Sequence, residues 1–472
     1  MVPILYYYTY SAIKSSCTET EEKSMKRLRK VLSLLLVGVI AVTSLFCGTV
    51  TASAASSKTS LLKVSLSSID SKATGIQALG QDLYILYNND TGYRAICRIG
   101  SDEINSWRST GKLKATKITV DKKITGSQKW TISDTSFENG NYSTLAYTKN
   151  GEDWYGSAVK YNKAKNSITQ YYTSPLADGG FGVSSNGTVA VSRFDEKTKK
   201  GIFDLINTTG KKFKTVSIDL KNFSDDGEKW GWTLYQNGKY IVIYTGGWSG
   251  EKEIGGITLI DEKGNKKTVS DAQVRSLYRH GNYYVTLAWP AAVWTVVNNI
   301  DNNKSYTIID KEAAFIKVGS DPYAYEISAD FGNKMYGSKA AVKYFKKNSE
   351  KEEDCRYALV NFSTGKRISS LYTYMGSKNN GNTYLVGDSK GNWGYINSKG
   401  KKLAMFDDAG SFYGSGKYAP VIKSGKIYLI DSNMKQISKT IKADKDSGVS
   451  TLGDELFNYS YGGKLYLMTN KT

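Results

Sequence analysis

Residues Gly391-Asn392-Trp393-Gly394-Tyr395-Ile396-Asn397-Ser398-Lys399-Gly400-Lys401-Lys402 read as a strand, a tight turn and the start of a second strand. Tyr395 and Ile396 favour extended backbone, and Ser398-Lys399-Gly400 supplies a glycine where a hairpin needs positive φ. Trp393 has the area to cover a sheet face, and Gly394 lets a neighbouring strand come close. The same strand–turn–strand pattern recurs at Ile257-Thr258-Leu259-Ile260-Asp261-Glu262-Lys263-Gly264-Asn265 and at Ala358-Leu359-Val360-Asn361-Phe362-Ser363-Thr364-Gly365-Lys366. Further strands are predicted at Tyr84-Ile85-Leu86-Tyr87, Tyr240-Ile241-Val242-Ile243-Tyr244, Tyr283-Tyr284-Val285 and Lys426-Ile427-Tyr428-Leu429-Ile430. Helical periodicity beyond a turn or two is not evident. Residues 340–347 come nearest and read equally as a strand.

Outward from this hairpin, a turn glycine followed by a Tyr/Val-rich strand recurs at Gly80, Gly140, Gly187, Gly238, Gly281, Gly332, Gly381, Gly416 and Gly453. The spacing centres near the ~40–50 residues of a four-stranded propeller blade. Such a sheet has two faces to bury and buries them against its neighbours. The expected fold is therefore all-β: a single β-propeller of about seven or eight four-stranded blades. The alternative is a tandem of β-sandwich domains. Leu61-Leu62-Lys63-Val64-Ser65-Leu66 is expected to pair with the last blade and close the ring.

Residues 391–431 resemble the WG repeat of bacterial secreted and surface proteins. After Trp393-Gly394-Tyr395-Ile396 come Asp407-Asp408-Ala409, Phe412 and Ala419-Pro420-Val421, and the pattern restarts in weakened form at Gly425-Lys426 with Ile427-Tyr428 in place of Trp-Gly. The resemblance implies repeat architecture and no particular ligand. Thr148-Lys149-Asn150-Gly151-Glu152-Asp153-Trp154 resembles the Asp-box turn of sialidase-type propellers, with Asn150 replacing the Asp and the glycine one place early. That resemblance implies a structural blade hairpin.

The N-terminal region reads as an address. Met25-Lys26-Arg27-Leu28-Arg29-Lys30, an apolar run over 31–47 and Ala52-Ser53-Ala54-Ala55 have the layout of a secretory signal peptide. The expected organisation is an untranslated upstream extension at 1–24, a signal peptide at 25–55 and a β-repeat body at 56–472. The apolar run falls short of the ~20 residues that span a bilayer, so no transmembrane anchor is expected after cleavage. The layout points to export from a Gram-positive bacterium, with a secreted or cell-wall-associated product.

The chain carries a formal net charge of +20 from 64 basic and 44 acidic residues. Six basic and three acidic groups lie in residues 1–55, so the body retains +17. Only eight of its basic residues are arginine, the usual bidentate reader of phosphate and guanine. No nucleic-acid partner is therefore expected, and attraction to an anionic envelope fits the lysine excess. Cys97 and Cys355 each sit in a strand-like run and are read as buried thiols.

One histidine, His280, removes most zinc sites and His-based triads. No nucleophile elbow, phosphate loop or metal-ligand spacing occurs, so no catalytic residue, metal or cofactor is expected. Paired carboxylates would still suffice for glycoside hydrolysis. Asp225-Asp226, Glu352-Glu353-Asp354 and Asp407-Asp408 are the acidic groups, all read as turn residues. The nine tryptophans, dense around Trp230-Gly231-Trp232, are the better functional signal. Flat aromatic faces suit sugar rings. Trp248 in an apparent glycine loop, with Trp289 and Trp294 flanking Pro290 in an apparent inter-strand connection, are the candidate ligand-binding residues. The expectation is a monomeric, non-catalytic binder of a glycan, an anionic wall polymer or an extracellular protein. The alternative is an extracellular carbohydrate-active enzyme using paired carboxylates.

Overall fold

The computed structural model describes residues 58–471, less internal stretches at 127–128, 133–136, 138–139, 149–152, 177–179, 224–228, 236–238 and 250–251. Also outside the described residues are 271–276, 281–282, 289–292, 299–303, 310–315, 319–320, 328–334, 337–338, 347–351, 362–365, 379–382 and 413–416. Thr59–Thr472 form one unit. The predicted signal peptide, Asp225-Asp226 and Trp289 lie outside the described residues.

The fold is all-β, built from consecutive antiparallel sheets. Nine runs of strands succeed one another: module 1 (75–120), module 2 (129–175), module 3 (181–219), module 4 (229–270), module 5 (277–309), module 6 (316–367), module 7 (374–406), module 8 (408–442) and module 9 (449–470). Within most modules the first strand pairs with the second, the second with the third and the third with the fourth. Modules 1 and 2 join into one eight-stranded sheet through a short parallel pairing, Thr119↔Ser167 and Val120↔Ile168. Module 6 has six strands: Ile316–Val318 stands ahead of the usual four, and the short Met335–Tyr336 pairs with Lys339–Lys346 off that path. Module 9 has only three strands of its own and takes its fourth from Leu61–Ser65, which pairs antiparallel with Lys464–Asn470 from Leu61↔Asn470 to Ser65↔Tyr466. The pairing expected of residues 61–66 is thus present.

Each of the nine rhythmic glycines falls, in sequence, at or within the connection between a first and a second strand, one per module. The rhythm located every module. The modules outnumber the seven or eight units expected because the last two intervals, Gly381 to Gly416 and Gly416 to Gly453, run shorter than a typical blade.

Apolar residues from adjacent sheets pack face to face. Leu83, Ile85 and Ile96 of module 1 meet Leu145, Val159 and Ile168 of module 2. Ala158 meets Val183, Val189 and Ile206 between modules 2 and 3, and Phe203 and Leu205 meet Ile241 and Ile260 between modules 3 and 4. Similar clusters join modules 6 to 7, 7 to 8 and 8 to 9. Leu452, Leu456 and Leu467 of module 9 pack on Tyr84, Leu86 and Cys97 of module 1. The last module therefore lies against the first.

A helix braces that seam. Ser101–Thr110 forms ten residues of α-helix, where the sequence predicts none. Its apolar signal is thin: Ile104 and Trp107 are its buried hydrophobic residues, too few for a visible period. Both join the module 9–module 1 cluster. Arg108 donates to the Asn470 carbonyl at 2.9 Å and pairs with Glu455 at 3.0 Å. The helix start is fixed by Glu103, whose carboxylate accepts from the Gly100 N–H at 2.9 Å, Thr116 Oγ1 at 2.6 Å and Arg98 at 2.9 Å.

The WG-like residues are joints between modules. Gly394 passes the paired strand so closely that a side chain would meet the Ala404 carbonyl. Tyr395 is fully buried and its hydroxyl donates to the Gly410 carbonyl at 2.6 Å, reaching from module 7 into module 8. Asp407 accepts from the Ser424 N–H at 2.7 Å, and Asp408 from the Val449 N–H at 2.8 Å, which ties module 8 to module 9. Cys97 and Cys355 are both buried thiols outside any disulfide, and burial pushes the Cys97 thiol up to about 12.

The turn between third and fourth strands recurs with one geometry. At Asn207, Asp261, Asn397 and Asp431 the side-chain oxygen accepts from the N–H groups two and four residues on. The residue three on has positive φ: Gly210 at 79°, Gly264 at 75°, Gly400 at 78° and Met434 at 66°. These glycines also abut the preceding module. A Cβ at Gly210 would stand 2.5 Å from the Tyr171 carbonyl oxygen, at Gly264 2.6 Å from Lys214, and at Gly400 against the Ile368 carbonyl. Gly391, at φ 81°, has nothing around it.

Two substitutions separate strain from contact. Gly400→Ala should cost about 3 kcal/mol, from left-handed strain plus a backbone clash. Gly391→Ala should cost about 1 kcal/mol, from strain alone. Denaturant midpoints of the two variants check this, and equal losses would contradict the wedge. For Glu103, burial raises the carboxyl pKa, but hydrogen bonds from Thr116, Arg98 and Gly100 outweigh it and leave the pKa lowered. The stability this contributes is complete above the unfolded value of about 4.3 and is lost as pH falls through the lower folded value. Glu103→Ala should remove that loss from the stability profile between about pH 5 and 3. At neutral pH it should cost about 3 kcal/mol by stranding Arg98.

Candidate functional site

In an antiparallel meander the first strand begins, the second ends and the third begins at one edge of the sheet. We term this the upper edge; the third-to-fourth-strand turns lie at the lower edge. Adjacent modules share this orientation wherever their edges touch. Phe194, near the end of a second strand, meets Trp230 at the start of the next first strand. Lys214 and Lys263 meet at the lower edge.

Six of the nine tryptophans stand at the upper edge. Trp130 and Trp230 are the second residues of first strands, and Trp154 and Trp393 open third strands. Trp248 is the penultimate residue of the second strand Tyr240–Ser249, and Trp294 is the second residue of the third strand Val293–Asn298. Trp289, outside the described residues, falls in the sequence between the second and third strands of module 5. Trp232 lies two residues inward of Trp230, and Trp107 is buried in the seam helix.

The best-defined part is an aromatic ladder between modules 3 and 4. Phe203 is fully buried and meets the Trp232 ring edge-on at 5.2 Å. Trp232 stacks on Trp230 at 4.9 Å, and Trp230 on Phe194 at 4.7 Å. The outer three rings are half-buried. Two glycine devices make room. Gly201 lies under Trp232, where a Cβ would come 3.0 Å from the ring. On the paired strands beyond Trp230 the register runs Thr245↔Gly256 and Gly246↔Gly255, so three of those four positions carry no side chain. The turn after Phe194 is held by Asp195, which accepts from the N–H groups of Lys197 and Thr198. Hydrogen bonds from Thr198 and Lys197 hold its carboxyl below the usual range.

Further aromatic residues stand on the same edge. Trp154 is 38% exposed and pairs with Thr148, closing the hairpin of the Asp-box-like stretch. In module 7 Tyr374, also 38% exposed, lies 4.9 Å from Trp393, both beside Gly387.

Of the predicted site residues, Trp248 and Trp294 are in strands. The expected glycine loop at 245–250 is instead the outer end of a long hairpin, with Trp248↔Glu253 in register. Trp294 pairs with Leu287 and Ile308 rather than sitting in a connection. Glycine pairs permit strand extension when two glycine-rich runs face each other, and that pairing is invisible in either run alone. Phe194, Tyr374 and Trp393 join the site without having been expected there. Their signal is position relative to strand order.

The arrangement can offer flat apolar faces, ringed by polar turns, to a ligand with complementary flat faces. Among the described residues no group of three or more His, Cys, Asp or Glu side chains is placed to hold a metal. Asp408, the best-placed paired carboxylate, spends both oxygens on backbone N–H groups. No helix among the described residues is long and apolar enough to cross a membrane.

No protein-family model matches the sequence, and neither does any curated protein. Solved structures with similarity include Porphyromonas gingivalis dipeptidyl peptidase 4, at 14% identity and TM-score 0.42 over 81% of this chain and 62% of that one. A eukaryotic initiation factor is similar at 8% identity and TM-score 0.40, over 84% and 90% of the two chains. The WD40 domain of SCAP from fission yeast is similar at 11% identity and TM-score 0.31, over 73% and 95%. The chain thus spans less than two thirds of the peptidase. Likenesses this distant carry no activity, substrate or partner to this chain.

Proposed function

We propose that this chain is a secreted β-propeller that binds a carbohydrate polymer of the cell envelope without chemically altering it. The blades are the nine modules, closed by Leu61–Ser65, and the WG-type repeat supplies the joints around modules 7 and 8. The observation that carries the reading is the collection of tryptophans on one edge. Trp154 of module 2 and Trp230 of module 4 form a discontinuous aromatic surface that Trp393 extends at module 7, and Trp248 and Trp294 occupy the same edge by their positions in the strands of modules 4 and 5. Sugar rings present axial C–H faces that pack on indoles. These positions recur at one edge, whereas core filling alone would not favour one edge over the other.

The test is pull-down of the purified full chain on insoluble peptidoglycan, chitin and cellulose. Binding to at least one is expected to persist in high salt, because apolar contacts are not screened. Trp230→Ala and Trp154→Ala should each weaken it roughly tenfold, about 1.4 kcal/mol. Trp154 is already exposed, so that variant should keep the parent's unfolding midpoint. Release of reducing sugar that an Asp or Glu substitution abolishes would replace this reading with the carbohydrate-active enzyme. Binding to none of the three polymers would reject it.

A further inference from the structure

The lower edge carries a different chemistry. The third-to-fourth-strand turns continue into lysines: Lys211-Lys212 after Gly210, Lys266-Lys267 after Gly264, Lys366-Arg367 after Gly365, Lys401-Lys402 after Gly400 and Lys435 after Met434. Lys211, Lys212, Lys266, Lys401, Lys402 and Lys435 are all exposed. The acidic groups nearby each have local partners. Asp261 and Asp431 have their carboxylates turned onto N–H groups within their own turns. Asp204 holds Arg193 at 2.7 Å, with Lys212 at 3.6 Å. Glu262 accepts from the Asn186 side chain at 2.7 Å.

The basic stations abut from one module to the next. Lys214 Nζ donates to the Lys263 carbonyl at 3.1 Å, and Lys266 Nζ to the Ser217 carbonyl at 2.6 Å, both between modules 3 and 4. Lys339 Nζ donates to the Ser398 carbonyl at 2.6 Å, between modules 6 and 7. These bonds hold lysine ammonium groups against the backbone of the neighbouring module, and an edge that gathers cations of one sign repels itself. Their recurrence at the same turn position in modules 3, 4, 7 and 8 is not required by the turn, since its geometry needs only the Asx anchor and the positive φ.

We propose that the lower edge is a second binding site, a periodic lysine belt for a linear phosphodiester polymer of the cell envelope, such as poly(glycerol phosphate). Successive lysine stations meet successive phosphates of a flexible chain laid along the belt. Lysine is suited to this task because its ammonium is a point charge without directional demands, so it tolerates a polymer that has no fixed geometry. A nucleic acid is the less suited occupant: the tryptophans on which bases would stack lie at the upper edge.

The experiment uses the purified full chain and poly(glycerol phosphate) as the probe, with affinity measured across salt. The belt variant is K211Q/K212Q/K263Q/K266Q. The control is K197Q/K390Q/K426Q/K464Q, which removes equal charge at the exposed second-to-third-strand turns. The belt variant should lose roughly 30-fold or more in affinity at low salt, and its log–log salt slope should shrink by about three. The control should lose less than about fivefold. All eight lysines are exposed, and unchanged unfolding midpoints confirm folding. Equal losses in both variants would overturn the belt, as would absence of binding to the probe or tighter binding to single-stranded RNA. Trp230→Ala and Trp154→Ala should leave poly(glycerol phosphate) affinity unchanged. Failure of the glycan reading is therefore seen separately from failure of this one.

Discussion

The contact on which the architecture depends is the left-handed residue of the third-to-fourth-strand turn, pressed against the module before it. A four-stranded sheet cannot stand alone in water, because both faces are apolar and a few strands bury too little to offset chain entropy. Leu359 with Met375, and Phe406 with Ala409, show how those faces are covered by the next sheet. Face-to-face packing fixes the distance between modules but leaves their sliding free. The turn removes that freedom: Gly400 sits against the Ile368 carbonyl with no space for a methyl group. Asn397 sets the turn shape, as Asn207 and Asp261 do in modules 3 and 4, so the glycine arrives at the same place in those three units.

Repetition of one turn at one edge has a chemical consequence. Residues just past the turn are displayed around the lower edge, and those that precede the first strand or join the second to the third are displayed around the upper. Residues separated by about fifty positions become neighbours, as Lys214 and Lys263 do. A modest bias in one repeat, lysine after the turn or tryptophan at a strand start, is thereby multiplied into a surface. Neither edge needs a deep cavity.

Much of the fold was legible in the sequence. The nine glycines marked the nine connections, and Leu61–Ser65 stood out as an unpaired strand that pairs with the last module. Three features were hidden for physical reasons. The helix Ser101–Thr110 buries few apolar residues and is held by Glu103 and Arg108, contacts that cross between strands or modules. The Gly246↔Gly255 pairing turned an expected loop into a hairpin, since either glycine run alone reads as flexible. The aromatic edge could not be read because it depends on knowing which strand is first in each module. Trp230 and Phe194 are 36 positions apart and adjacent only once modules 3 and 4 pack.

The central claim is that nine modules form a single ring closed by an N-terminal strand. Electron microscopy of the purified protein, averaged down the axis that the modules surround, tests it most directly. A closed disc of nine radial blades is predicted, with the seam between the first and last blades bridged by a helix. An open arc, or two separate β-sandwiches joined by a linker, would contradict it.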